Sequence, residues 1–266
     1  MPRLTDMKLL TPVIAALSLS VPAWAEAPMD VADLEIIPGW ETPQGTYMAG
    51  IKITLADGWK TYWRAPGDAG IPPLFQWIGS ENIASASFHW PTPEVFDTNG
   101  MRTIGYHDSV VIPVEFQSLD DGPLRIKGRV DIGVCDNICV PVALDFDSTV
   151  LQSGGPNPMI AGALIDQPMT ADRAEVTDVH CDFEIKGDTI EMTAHVNVPA
   201  VGANEWIIVE APQAWVSESD TSRNGDTLSA KVDIVPMVKG FALDRSAIRL
   251  TVLGDQRAVD IRGCAG

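Results

Sequence analysis

One stretch in the middle of the chain admits a single strand register. Between Arg129 and Asp145 the sequence reads R-V-D-I-G-V-C-D-N-I-C-V-P-V-A-L-D. Folded as a hairpin about Asp136-Asn137-Ile138, it sets Cys135 opposite Cys139, Val134 opposite Val140, Ile132 opposite Val142 and Val130 opposite Leu144. Every apolar pair then falls on one face. The other face receives the cysteines, Gly133 with Pro141, Asp131 with Ala143, and Arg129 with Asp145. A slip of one residue would scramble both faces, so the pattern specifies its own pairing. Asp and Asn suit the tight conformations of the loop. Directly opposed residues stand ~4.5–5.5 Å apart, within disulfide reach.

The same period-two alternation recurs along the chain. Ile51, Ile53 and Leu55 share a face, as do Val110, Ile112, Val114 and Phe116. Such segments, bounded by Gly, Pro and Asp, predict strands at the spacing of an antiparallel sandwich. The alternation stops at Ser153-Gly154-Gly155-Pro156-Asn157-Pro158, after which Met159 to Ile165 reads as a short helix halted before Pro168. All three Tyr precede this break. Beyond it, Phe183 and Ile185 pair across Gly187-Asp188 with Ile190, Met192 and Ala194, which predicts another hairpin. Leu228, Ala230, Val232 and Ile234, then Ile248, Leu250 and Val252, then Val259 and Ile261 supply further strands. The expected fold class is all-β: two tandem antiparallel sandwiches over 26–152 and 175–266, joined by a linker at 153–174 carrying the helix. With 45% apolar residues the chain can bury a core for each.

Residues 1–25 read as a secretory signal peptide: basic Arg3 and Lys8, a largely apolar run from Leu9 to Val21, and Ala23-Trp24-Ala25 at the cleavage point. The run is shorter than the ~20 residues a membrane span needs. The expected product is exported, without direct membrane insertion, into a compartment where disulfides persist. Lys and Arg total 18 against 36 Asp and Glu, a formal charge of −18. That balance repels nucleic acid and anionic membrane, so neither is an expected partner.

The four cysteines divide into two kinds. A Cys135–Cys139 bond would close so small a loop that it stabilises the fold by only ~2 kcal/mol in the chain-entropy model. A short, partly exposed bond is a weak staple but an easily exchanged one. Three readings stand at this point: redox exchange with another protein, a plain hairpin clip in a non-catalytic binding module, and a soft Cu(I) site using the thiolates with Met. Two thiolates without nearby His are too few for zinc, and no metal or other cofactor is expected. Cys181 shares the apolar row of Phe183, and Cys264 is expected to end the last strand. A bond between them would close a long loop, worth ~4.5 kcal/mol in the same model, and they are expected to form a structural bridge.

Residues 58–73 read GWKTYWRAPGDAGIPP, physically an aromatic strand end followed by a Pro-Gly-Asp turn that includes Asp68. Pro91-x-Pro93, Gly105-Tyr106-His107, Ile112-Pro113-Val114 and Gly133-Val134-Cys135-Asp136-Asn137-Ile138-Cys139-Val140-Pro141 follow in order. Together these strings resemble the N-terminal periplasmic domain of the DsbD family of thiol:disulfide interchange proteins, ScsB-type relatives included. The resemblance covers residues 30–150 and extends more weakly into the second half, which is similar to the extra domain of ScsB-like proteins. It implies an immunoglobulin-like sandwich in the periplasm. It also implies a catalytic cysteine pair, Cys135 and Cys139, that takes electrons from a membrane-embedded thiol reductase and passes them to periplasmic thioredoxin-fold proteins. Cys139 would form the mixed disulfide and Cys135 resolve it. Asp136 disfavours a thiolate at its neighbour Cys135, which is consistent with that division. A capping loop is implied between Phe96 and Tyr106, with Tyr106 as the aromatic cover and His107 beside it. The best-known members space the two cysteines more widely. They also carry transmembrane and thioredoxin domains not found in these 266 residues, so electrons are expected from a separate protein.

Overall fold

The computed structural model describes residues 31–265 apart from Asp68, Asn99, Gly100, Gln152 and Ser153. The signal peptide and the Asp68 turn position lie outside the described residues. The first half is two antiparallel sheets face to face. One orders its strands Ala32–Glu41, Tyr47–Leu55, Ser109–Ser118, Ile83–Phe88. The other runs Cys139–Val150, Leu124–Cys135, Lys60–Tyr62, Met101–His107, Glu94–Thr98, with Leu74–Gln76 also paired to Leu124–Cys135. The core between them takes alternate residues from each: Ile51, Ile53, Ile112, Val114 and Phe116 from the first, Ile104, Ile126, Val130, Ile132 and Val134 from the second. Each such side chain taken fully from water contributes about 1.5–3 kcal/mol, so the alternation is what holds the sheets together.

The second half repeats the plan. Asp178–Lys186, Thr189–Asn197, Thr227–Pro236 and Ala214–Val216 form one sheet, with Asp220–Asn224 also on Thr227–Pro236. Met169–Thr170, Ala258–Arg262, Arg249–Leu253 and Trp206–Glu210 form the other, its first pair parallel. Met192, Val196, Leu228 and Val232 pack against Ile207, Leu250, Val252 and Val259 between them.

The helix spans Pro158–Ile165. Asn157 caps it by accepting from Met159 N at 3.0 Å, and the proline sits where its missing N–H costs nothing. Ile160 is fully buried against Ile37 and Met48, so the helix docks on the first half. The halves also touch directly. In Trp206–Glu210 the residues Ile207 and Val209 face the second core, while Trp206 and Ile208 join Leu253 and Ala258 in the core of the first half. Arg64 donates from Nε and Nη2 to the two carboxylate oxygens of Glu210 at 3.1 and 3.0 Å, and from Nη2 to Thr251 at 3.2 Å. Arg102 stacks over Trp206, 4.3 Å from the ring centroid, and pairs with Glu218.

Candidate redox site

The strand pair Leu124–Cys135 and Cys139–Val150 has the register the alternation demands, with Cys139 opposite Cys135 and Val140, Val142 and Leu144 opposite Val134, Ile132 and Val130. Asp136 N donates to Ile138 O at 3.1 Å and closes the loop. A disulfide joins the two cysteines. Because Val134 points into the core, Cys135 points to the outer face of the sheet. It is nevertheless only 1% exposed, whereas Cys139 is exposed.

The cover over Cys135 comes from Lys60–Tyr62. Lys60 is paired with Cys135 and Thr61 with Val134. Thr61 Oγ1 donates to Gly133 O at 2.9 Å, fixing the two strands together. Lys60 and Tyr62 share the outer face. The Tyr62 hydroxyl lies 2.9 Å from Cys135 Sγ and 3.4 Å from Cys139 Sγ. Burial holds the Tyr62 phenol above its ordinary pKa, so it keeps the proton it can donate to sulfur. Gly133 makes room for this ring. A Cβ there would stand 3.0 Å from two Tyr62 ring carbons and 2.8 Å from Ile71 Cβ.

Phe96, Lys60 and His107 gather on the same face. Lys60 is paired with His107 on one side and Cys135 on the other. Lys60 Nζ sits 4.9 Å from the centre of the Phe96 ring, and His107 meets that ring edge-on at 6.5 Å. His107 Nδ1 lies 2.8 Å from Glu94 Oε1 and its Nε2 3.3 Å from Asp108 Oδ2.

Tyr106 does not cover the disulfide. It lies within the strand Met101–His107, where its neighbour His107 points outward, so its own ring points into the core and is 6% exposed. Its hydroxyl donates to Pro91 O at 2.9 Å, and burial pushes the phenol well above its ordinary pKa. The aromatic that meets the sulfurs is Tyr62. Its strand is only Lys60–Tyr62, and its direction follows from its neighbour Thr61, which is bonded inward to Gly133 O.

Cys181 and Cys264 form the second disulfide, with Cα atoms 5.7 Å apart. They are 2% and 4% exposed and belong to the second core, far less accessible than Cys139.

Among known proteins, residues 33–151 match the family model described as thiol:disulfide interchange protein DsbD, N-terminal. The crystal structure of the N-terminal periplasmic domain of ScsB from Proteus mirabilis aligns with a TM-score of 0.66 at 24% identity, covering 92% of this chain and 97% of that one. Its similarity therefore extends through both halves of the fold. The DsbD N-terminal domain of Neisseria meningitidis, in its reduced form, aligns with a TM-score of 0.31 at 15% identity over 50% of this chain and 96% of that one. No curated protein sequence matches. Among the described residues, no helix is long and apolar enough to cross a membrane. An immunoglobulin-like β fold thus carries a hairpin disulfide on its sheet face, within the segment 33–151 that matches the family model of the N-terminal part of thiol:disulfide interchange protein DsbD.

Proposed function

We propose that this protein is a periplasmic electron relay that exchanges its Cys135–Cys139 pair with other proteins. The observation that carries this reading is the asymmetry of the bond: Cys139 is exposed at the end of a hairpin, while Cys135 is buried beneath the Tyr62 hydroxyl. In the reduced protein the Cys139 thiolate attacks a partner's disulfide. One partner sulfur leaves as thiolate and takes up a proton, and a mixed disulfide forms. The Cys135 thiolate then attacks Cys139 Sγ, releasing the partner's second thiol and closing the hairpin bond. The partner gains two electrons and two protons; this protein loses them. Tyr62 is placed to donate to whichever sulfur carries negative charge during the exchange. The acceptors are periplasmic thioredoxin-fold proteins, and a membrane-embedded thiol reductase restores the dithiol by the reverse sequence.

Trapping tests this. Cys135→Ser leaves Cys139 without its resolving thiol, so a disulfide-linked partner should accumulate and be identifiable by mass spectrometry. Adducts found only through Cys135, in a Cys139→Ser protein, would reverse the roles. Absence of adducts from both variants would reduce the pair to a structural clip.

A further inference from the structure

The second half carries a side-chain cluster that thiol exchange does not use. The hairpin of Asp178–Lys186 and Thr189–Asn197 turns at Gly187-Asp188, which sets His180 directly opposite His195. Cys181 and Ala194, the next residues inward, face the second core, so both imidazoles point out. Their rings stack with centroids 4.7 Å apart and planes 22° from parallel. Asp182, two residues along on the same face, brings Oδ2 to 3.4 Å from His195 Nε2. One coordinating atom from each of His180, Asp182 and His195 can be chosen so that all three lie within 4.8 Å of one another.

The outer partners of the two rings matter as much as their separation. His180 Nδ1 lies 3.0 Å from Asp178 Oδ2, and His195 Nδ1 lies 2.9 Å from Ser229 Oγ. With Nδ1 engaged on each ring, Nε2 is the nitrogen left for a ligand. Metal-binding imidazoles are held in this way, one nitrogen on an oxygen partner and the other on the ion. The strand is also anchored: Cys181 is tied to Cys264, and Cys181 N donates to Ala265 O at 2.7 Å.

We propose that His180, His195 and Asp182 form a binding site for a divalent transition-metal ion of the zinc class. Two imidazole nitrogens and one carboxylate oxygen suit such an ion, with solvent completing a tetrahedral shell. Hard ions such as Mg²⁺ prefer all-oxygen shells and are discriminated against. In the oxidised protein no thiolate competes for the ion, because all four cysteines are bonded in this structure.

The test is calorimetric titration of the oxidised chain with Zn²⁺, where no thiolate competes. The expected result is saturation at one equivalent, undiminished by excess Mg²⁺. His180→Asn and His195→Asn should each weaken binding at least ~10-fold, and Asp178→Asn, which touches only the outer nitrogen of His180, about 10-fold. No saturable uptake, or uptake unchanged in the double His180→Asn, His195→Asn protein, would overturn the proposal. A second measurement needs no variant. The chain has four histidines, so four imidazole signals are resolvable by NMR. Zinc should move those of His180 and His195 and leave those of His89 and His107 in place; the opposite pattern would also refute the site.

Discussion

Replacing Tyr62 with Phe removes one oxygen and leaves the ring that Gly133 accommodates. The hydroxyl is 2.9 Å from Cys135 Sγ and 3.4 Å from Cys139 Sγ, so in the reduced protein it donates to a thiolate at either position. Hydrogen bonds to charged groups contribute ~1.5–3 kcal/mol, and the lower end suits a site with one exposed sulfur. A loss of ~1.4 kcal/mol raises the thiolate pKa by about one unit. At a pH above that pKa it also destabilises the dithiol form relative to the disulfide, lowering the reduction potential by ~30 mV for a two-electron couple. The rate consequence is smaller. At a pH below the thiol pKa the thiolate fraction falls ~10-fold, but a more basic thiolate is more nucleophilic with a Brønsted slope near ~0.5, so attack slows only ~3-fold. The assays are the pH profile of alkylation of the reduced protein, for the pKa, and equilibration against a glutathione buffer, for the potential. A Tyr62→Phe protein with an unchanged pKa and an unchanged potential would show that the hydroxyl does not stabilise the thiolate, and the role assigned to it would fall.

Gly133→Ala forces a methyl against the Tyr62 ring and Ile71 at 3.0 and 2.8 Å; overpacking of this kind costs ~1–3 kcal/mol, read as a lower Tm, and should also speed alkylation of Cys135 as its cover shifts. The double Cys181→Ser, Cys264→Ser protein should lose up to ~4.5 kcal/mol of stability by calorimetry while the potential of the Cys135–Cys139 pair stays unchanged. The Glu115 carboxyl is held below its ordinary pKa, chiefly by the hydrogen bond from Thr46 and further by His89. Its folded pKa is depressed, so the stabilisation is full above the unfolded value and is lost as pH falls through the folded one. Thr46→Val should flatten that acid-side decline in an unfolding series run against pH.

The cysteine hairpin was legible because its two faces differ so sharply in polarity. Val130, Ile132 and Val134 leave no freedom of register, and the pairing of Cys135 with Cys139 follows from them alone. Tyr62 was harder to read. Its strand is only Lys60–Tyr62, too short for alternation to stand out from the irregular segment after it. The expectation that Tyr106 covers the pair fails because a capping loop leaves ring direction open, whereas as part of a strand its direction is set by His107 beside it. The joining of the two halves was hidden for the opposite reason. Trp206-Ile207-Ile208-Val209 is apolar throughout, a run that says both faces are buried but not by what. The facing of His180 and His195 was readable, since the Gly187-Asp188 turn fixes the register of every pair in that hairpin.

The Arg64–Glu210 fork bears on how the molecule can be divided. Arg64 lies two residues past Tyr62, the residue whose hydroxyl meets both sulfurs, and its guanidinium is held by a carboxylate of the second half. A fragment trimmed after the first sandwich would retain both Cys135 and Cys139. It would lose the carboxylate that holds Arg64, two residues from the tyrosine that shelters one of the two sulfurs.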